Sequence, residues 1–197
     1  MRSFEFARQM KDKKPVLENE NEIMAFPNTQ LPEYQTTFSA GADFFCAEDV
    51  TIPSIWHQVA HILQTSTIPG LILNRAANRP DDEETNNQFK PTVVHTGVKA
   101  SMESDEVLYL YNRSSNPKKL GLILANSVGV VDSDYYNNED NDGEIMFAFY
   151  NLKPWDVTIH AGDRIGQGVF AKYLRPTKGL RVKSATRVGG IGSTGSN

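Results

Sequence analysis

The sequence predicts a mainly β protein, an antiparallel sandwich or barrel in one domain. Three observations point there. Short runs rich in Val, Ile, Phe and Tyr recur from Ala42 onward, separated by turn residues at regular spacing. No helices alternate with them, which argues against a doubly wound parallel sheet. A length of 197 residues with 39% hydrophobic residues suits one domain with a core and some elaboration.

The expected strands are Asp43–Ile52, Thr92–Met102, Val107–Tyr111, Leu120–Ala125, Ile145–Leu152, Val157–His160 and Arg164–Leu174. Before them, residues 8–37 are polar and punctuated by Pro15, Pro27 and Pro32. One segment breaks the β texture. In Ser54–Gln64, Ile55, Val59, Ile62 and Leu63 fall on one helical face, and Ser54 after Pro53 is placed to cap it. A polar, acidic stretch follows, Asn78 to Gln88. Residues 53–90 therefore read as an elaboration inserted between two strands: a short helix near 54–64, a strand at Leu71–Leu73 and a loop.

A net charge of −4 gives no general drive toward nucleic acid or membrane surfaces, though local Arg clusters can still bind discrete anions. The one cysteine, Cys46, rules out an intrachain disulfide framework and fits a reducing compartment. No run approaches the apolar length of a membrane span, so the expectation is a soluble, cytoplasmic protein.

Four features have bland readings that prevail. His57 and His61 sit four apart on the expected helix, but no Glu follows His57 and no third ligand is suitably spaced. Cys46 lies in an apolar run and reads as a small buried hydrophobe. Asn138 to Glu144 begins like a calcium loop, yet its twelfth position is Phe149 where a bidentate Glu is needed, so it reads as an acidic turn. Gly190, Gly192 and Gly195 spell a dinucleotide-type glycine pattern, but no helix can follow within the two remaining residues.

Three clusters carry chemistry. Arg113-Ser114-Ser115 offers a guanidinium and two hydroxyls at a strand end, suited to phosphate oxygens. Asp132 and Asp134 share one face of an extended segment, with Tyr135 next, and a carboxylate beside a phosphate site can deprotonate water or hold a metal ion. Gly162 to Gln167 forms the third. Together they suggest a phosphate-ester hydrolase on a β scaffold.

Taken in order, five segments resemble the motifs of the trimeric deoxyuridine triphosphatases, the dUTPases. They are AGADFFCA (40–47), NRSSNPKKLG (112–121), NSVGVVDSDYYNNEDNDGEI (126–145), AGDRIGQGVF (161–170) and RVGGIGSTG (187–195). The spacers and the opening RSFEFA resemble the branch from Gram-positive bacteria and their phages. The resemblance implies a distorted jelly-roll-like β-barrel assembled as a homotrimer. It also implies hydrolysis of dUTP to dUMP and pyrophosphate, which limits uracil incorporation into DNA and supplies dUMP for dTMP synthesis.

The resemblance implies roles residue by residue. Asp132 matches the aspartate that activates the water attacking the α-phosphorus, and Tyr135 the ring packed on the deoxyribose. Asn126 matches the bend of a uracil-reading hairpin that continues through Val130. Arg113, Ser114, Ser115 and Gln167 match positions around the phosphates. Asp43 matches a carboxylate that holds a water on Mg²⁺, an ion bound mainly by the phosphates themselves. Residues 187–197 match a flexible arm that wraps a neighbouring subunit's site. In it Arg187 is expected on the γ-phosphate, Gly192, Ser193 and Thr194 around the anion, and Ile191 over the base. The sequence departs from the pattern in having Ile191 where Phe is usual, and one residue fewer between Arg187 and the glycine pair.

Two rival readings share these motifs. A dCTP deaminase has the same fold but carries a glutamate in the hairpin, where this chain has GVVDSDYY. A nucleotide-sensing regulatory trimer would bind without turning over, with residues 53–90 as a surface for a regulatory protein partner.

Overall fold

A computed structural model describes residues 1–11, 14–19, 22–23, 26, 28–57, 59–60 and 90–179. Its strands are β1 (Ser3–Phe6), β2 (Met10–Lys11), β3 (Lys14–Pro15), β4 (Leu17–Asn19), β5 (Glu22–Ile23), β6 (Ala42–Phe45), β7 (Val50–Ile52), β8 (Thr92–His95), β9 (Val98–Ser101), β10 (Glu106–Asn112), β11 (Leu122–Leu124), β12 (Val128–Asp132), β13 (Met146–Asn151), β14 (Val157–Ile159) and β15 (Arg164–Lys172). A four-stranded sheet runs β12-β10-β15-β6 and a three-stranded sheet β11-β13-β8, with the pairs β1-β9 and β14-β7 beside them. Every strand pair is antiparallel. The architecture is mainly β and jelly-roll-like, and among the described residues the sheets do not close into one continuous barrel.

Alternation builds the core. Along β12, β13, β11 and β14 every second residue is buried, so each strand turns its apolar set to one side. The two larger sheets meet through aromatic rings. Phe44 on β6 contacts Phe147 on β13 at 5.7 Å between centroids, Phe147 stacks on Phe149 at 6.2 Å, and Phe4 packs edge-on against Phe44 at 5.4 Å. Such pairs add about 0.5–1.5 kcal/mol beyond the area they bury. Leu108, Leu122, Val94, Ile145 and Ile165 fill the same core.

The expected strand Asp43–Ile52 is in fact two, β6 and β7, which join different sheets. Between them the backbone N–H groups of Cys46 and Ala47 donate to the carbonyls of Asp163 and His95, so the chain leaves one ladder for other partners. The run Thr92–Met102 likewise divides into β8 and β9 at the turn Thr96–Gly97. Strands β1 and β12 lie outside the runs read from the sequence, and the polar segment 8–37 contains β2 to β5.

Residues 55–57 and 59–60 are helical, and Ser54 caps them: its Oγ accepts the N–H of Trp56 at 3.1 Å. The root of the helix is stitched to the β13–β14 turn. Ser54 Oγ donates to the carbonyl of Lys153 at 2.6 Å, its N–H donates to Asp156 at 2.9 Å, and the Trp56 ring N–H donates to the carbonyl of Leu152 at 3.1 Å. The remainder of the expected insertion, residues 61–89 with Leu71–Leu73 and His61, lies outside the described residues, as does the expected arm at 187–197. Among the described residues no helix is long and apolar enough to cross a membrane.

Candidate functional site: an anion cradle and a separate carboxylate

Strand β10 organises the site, because β12 and β15 pair with it on either side. At its C-terminal end Asn112 pairs with Gly166 and Tyr111 with Gln167, and Gln167 in turn pairs with Asp43 on β6. Two of the three sequence clusters, those of Arg113 and Gln167, therefore converge at one place, joined there by Asp43.

Asp43 is their hub. It is only 2% exposed. Its Oδ1 accepts the side-chain amide of Gln167 at 2.9 Å, and its Oδ2 accepts Nη1 of Arg164 at 3.2 Å. The Nε of Arg113 stands 3.8 Å from Oδ1, an ion pair rather than a hydrogen bond. Arg113 also donates Nη1 to the carbonyl of Arg164 at 3.0 Å, and Arg164 donates to Gln35 at 2.9 Å.

A β-bulge makes this convergence. Arg164 pairs with Phe45 and Gly166 with Phe44, leaving Ile165 as the extra residue on β15. In a regular strand, residues three apart point to opposite faces. The bulge shifts that parity, so Arg164 and Gln167 both reach Asp43. Arg164 is the site residue that the sequence reading missed. It stood in the right cluster, but no pattern of residue types announced the bulge.

Beside the cradle opens a pocket of about 470 Å³ lined by Arg113, Ser115, Lys119, Asp163, Arg164 and apolar groups including Phe45 and Ile159. Its cations outnumber its single carboxylate. Ser115 precedes a five-residue π-helical turn, Asn116–Leu120, and Ser114 is exposed beside it. Guanidinium groups, hydroxyls and an amide in one concavity suit an oxyanion with several oxygens.

The second half of the expected site stands elsewhere. Asp132 ends β12 and pairs with Val107 near the opposite end of β10. Six residue steps along β10 separate Val107 from Arg113, about 20 Å at roughly 3.3 Å per residue. One chain thus does not bring Asp132 to Arg113. Asp132 is exposed, on the same strand face as Val128 and Val130, with Val130 61% exposed. Tyr111 and Tyr109 stand opposite those two valines.

Asn126 and Ser127 form a tight turn at the start of β12: the N–H of Val128 donates to the carbonyl of Asn126 at 2.6 Å. The expected hairpin is a corner between sheets, since β11 pairs with β13 and β12 with β10. Tyr135 follows Asp132 in a 3-10 turn, Ser133–Tyr135. It is 6% exposed, packed in the core, and its hydroxyl donates to the carbonyl of Glu144 at 3.1 Å and accepts from the Asn141 amide at 2.8 Å. Only a small part of its ring is left for a sugar to touch.

Cys46 and the acidic turn sit as their bland readings expect, while His61 and the glycine pattern at 190–195 lie outside the described residues. Burial pushes the Cys46 thiol up to about 11, and its Sγ donates to the carbonyl of Glu48. His57 stands 3.1 Å from Asp156. In the acidic turn, Asp142 is fully buried and bonded by Lys99 at 2.9 Å and by the Arg8 side chain and N–H, so its oxygens serve an ion pair.

No group of three or more His, Cys, Asp or Glu side chains that could hold a metal ion occurs among the described residues. The Asp43 carboxylate, expected to hold a water on Mg²⁺, accepts one hydrogen bond on each oxygen, from Gln167 and from Arg164, and pairs with Arg113, which leaves acceptor capacity for a water.

A β scaffold with a cationic, hydroxyl-lined cradle at one strand end defines a class, the proteins that grip phosphate esters. The particular family follows from comparison with known proteins. The dUTPase family model matches residues 80–195. A deoxyuridine 5'-triphosphate nucleotidohydrolase of Lactococcus lactis is 48% identical over 103 residues, 52% of this chain and 69% of that protein. One from Wolinella succinogenes is 32% identical over 173 residues, covering 86% and 89%. A crystal structure of dUTPase from Streptococcus mutans superposes with a TM-score of 0.57 at 34% identity, over 88% of this chain and 97% of that one. The chain belongs to the dUTPase family.

Proposed function

We propose that the protein hydrolyses dUTP to dUMP and pyrophosphate, taking the nucleotide as its magnesium complex and working as a homotrimer in the cytoplasm. The observation that carries this reading is the cradle at the end of β10, where Arg113 and Gln167 converge beside Ser114 and Ser115. In this reading the cradle receives the triphosphate, with the ion travelling on the phosphate oxygens.

Attack at the α-phosphorus adds negative charge to a group that is already anionic. Preorganised donors offset that charge, and losing one typically costs about 10²–10³ in rate. Asp132 takes the proton from the attacking water, a role that typically contributes about 10²–10⁴. Asn126 and Val130 face the uracil, and Tyr135 closes the space that a 2'-hydroxyl would need. The separation of Asp132 from Arg113 supports a site completed by a second copy of the chain, with Arg187, Ile191, Gly192, Ser193 and Thr194 of an arm closing over it. The biological consequence is less uracil in DNA and a supply of dUMP for dTMP synthesis.

The test is a nucleotide panel with Mg²⁺: pyrophosphate release from dUTP, dTTP, dCTP and UTP, with ammonia release from dCTP followed in parallel. Selective turnover of dUTP is expected. Ammonia from dCTP would make the protein a deaminase, and tight dUTP binding without turnover would make it a sensor.

A further inference from the structure

We infer that Asp43 serves the phosphate site as a positioning residue, aiming Arg113, Arg164 and Gln167 at the anion with or without magnesium present. The inference rests on the proposed dUTP site and assigns the electrostatic organisation of its cradle.

Two guanidinium groups converge there. Arg113 reaches back to the carbonyl of Arg164 at 3.0 Å, and the Arg164 side chain folds over Asp43. Like charges brought this close repel unless an anion stands between them. Asp43 is that anion, and it is nearly buried, where screening by water is weak. Its position is itself fixed. Its N–H and carbonyl exchange hydrogen bonds with Glu33 at 2.8 and 3.1 Å, and its strand pairs with β15. Charge-assisted hydrogen bonds are the stronger class, so Asp43 fixes one face of Gln167 and of Arg164, while the ion pair draws Arg113 toward them. Arg113 and Arg164 also line the adjacent pocket, so the donors held by Asp43 border the space an anion would enter. Before any nucleotide arrives the cradle is assembled, with a positive excess from Arg113, Arg164 and Lys119 over Asp43 and Asp163.

The two roles for Asp43 separate when the metal is removed. Binding of the α,β-imido analogue of dUTP is measured for wild type and Asp43→Asn, in Mg²⁺ and in EDTA, with deoxyuridine as a competitor that lacks phosphate. The expected result is analogue binding about 10- to 100-fold weaker in the variant, by the same factor with and without metal, and deoxyuridine affinity unchanged. The Arg113 Nε–H signal in ¹⁵N NMR should move in the variant. A defect seen only with Mg²⁺ would return Asp43 to the metal-water role. An equal loss for deoxyuridine would reduce it to a merely structural one. Should Asp43→Asn fail to fold, Arg164→Gln removes the donor to Oδ2 and keeps the carboxylate. It should weaken metal-free binding about 3- to 10-fold, and wild-type binding in that variant would overturn the inference. Failure of wild type to bind the analogue at all would instead strike the proposed dUTP site.

Discussion

Asp132 and Arg113 are anchored near opposite ends of one strand, β10, the first through its pairing with Val107 and the second directly after Asn112. A rigid strand cannot fold back to unite them, so catalysis that needs both requires two chains. Mixing Asp132→Asn with Arg113→Gln subunits after joint refolding should therefore restore activity that neither variant has alone. If the two residues come from different chains at each site, an equal mixture should recover up to about a quarter of wild-type turnover. No recovery in mixed oligomers, verified by mass, would place both residues in one chain's site.

Asp132→Asn by itself should lower kcat by about 10²–10⁴ and leave the Kd for the imido analogue nearly unchanged. The residue is exposed at a strand end, so the change should leave thermal stability unaltered. Single-turnover kinetics with near-normal kcat would remove Asp132 from the general-base role.

Asp142 should set the acid stability of the fold. Burial alone pushes its carboxyl up, but the Arg8 side chain and N–H, together with Lys99, outweigh burial and leave its pKa below the ordinary value. A depressed pKa in the folded state stabilises the protein above the unfolded value of 3.8, and that stability is lost as pH falls through the folded value. Asp142→Asn should cost about 3–5 kcal/mol at neutral pH, because it strands two cations beside a neutral group. Urea unfolding at pH 7 and at pH 3 checks both statements, with the gap between variant and wild type shrinking at the lower pH.

His95 acts with the opposite sign. Its ring is hydrogen-bonded to the buried Glu144 carboxylate at 3.0 Å, which raises its pKa; burial opposes this, and the charges of Glu144 and Glu48 add to it. A raised folded-state pKa gives stability that is fully present below the unfolded value of 6.5 and fades as pH rises through the folded value. His95→Gln should lower Tm by about 2–4 °C at pH 6 for each 1 kcal/mol lost, and by less at pH 9. A gap independent of pH would show that only ring packing, including the stack on Phe26 at 5.2 Å, was lost.

Gly166→Ala should destabilise the sheet by about 1–3 kcal/mol. A Cβ there would lie 2.0 Å from Cε1 of Phe147, a ring in the middle of the core. Since Gly166 also sits beside the bulge that brings Arg164 to Asp43, nucleotide affinity should fall with stability. Denaturant midpoints and analogue binding, measured together, test the coupling.

Much of the sheet was legible in the sequence, because β10, β13, β14 and β15 alternate or run apolar over enough residues to be read. Strand β12 was not. It was read only as part of a hairpin and an extended segment, and its Gly129 has a packing reason: a Cβ there would lie 2.9 Å from Leu110 Cβ, so the glycine permits a close strand approach. Strand β1 is four residues long and earns its place only by pairing with β9, nearly a hundred positions away. Within the site, residue types announced Arg113 and Asp132, while the role of Gln167 came from the resemblance to the dUTPase motifs. The bulge at Ile165 and the charge exchange around Asp43 depend on register between distant strands, which no local pattern records.

The stitches at Ser54 and Trp56 have a consequence for how this chain can change over generations. Strand β7 is secured to β14 and β8 to β13, while the Ser54 and Trp56 bonds run to the turn between β13 and β14. None of these ladders draws on residues 61–89. Replacing residues 61–89 with a short linker should therefore leave these ladders and turnover at β10 intact, which would make this the place where a lineage can gain, trim or exchange a surface segment.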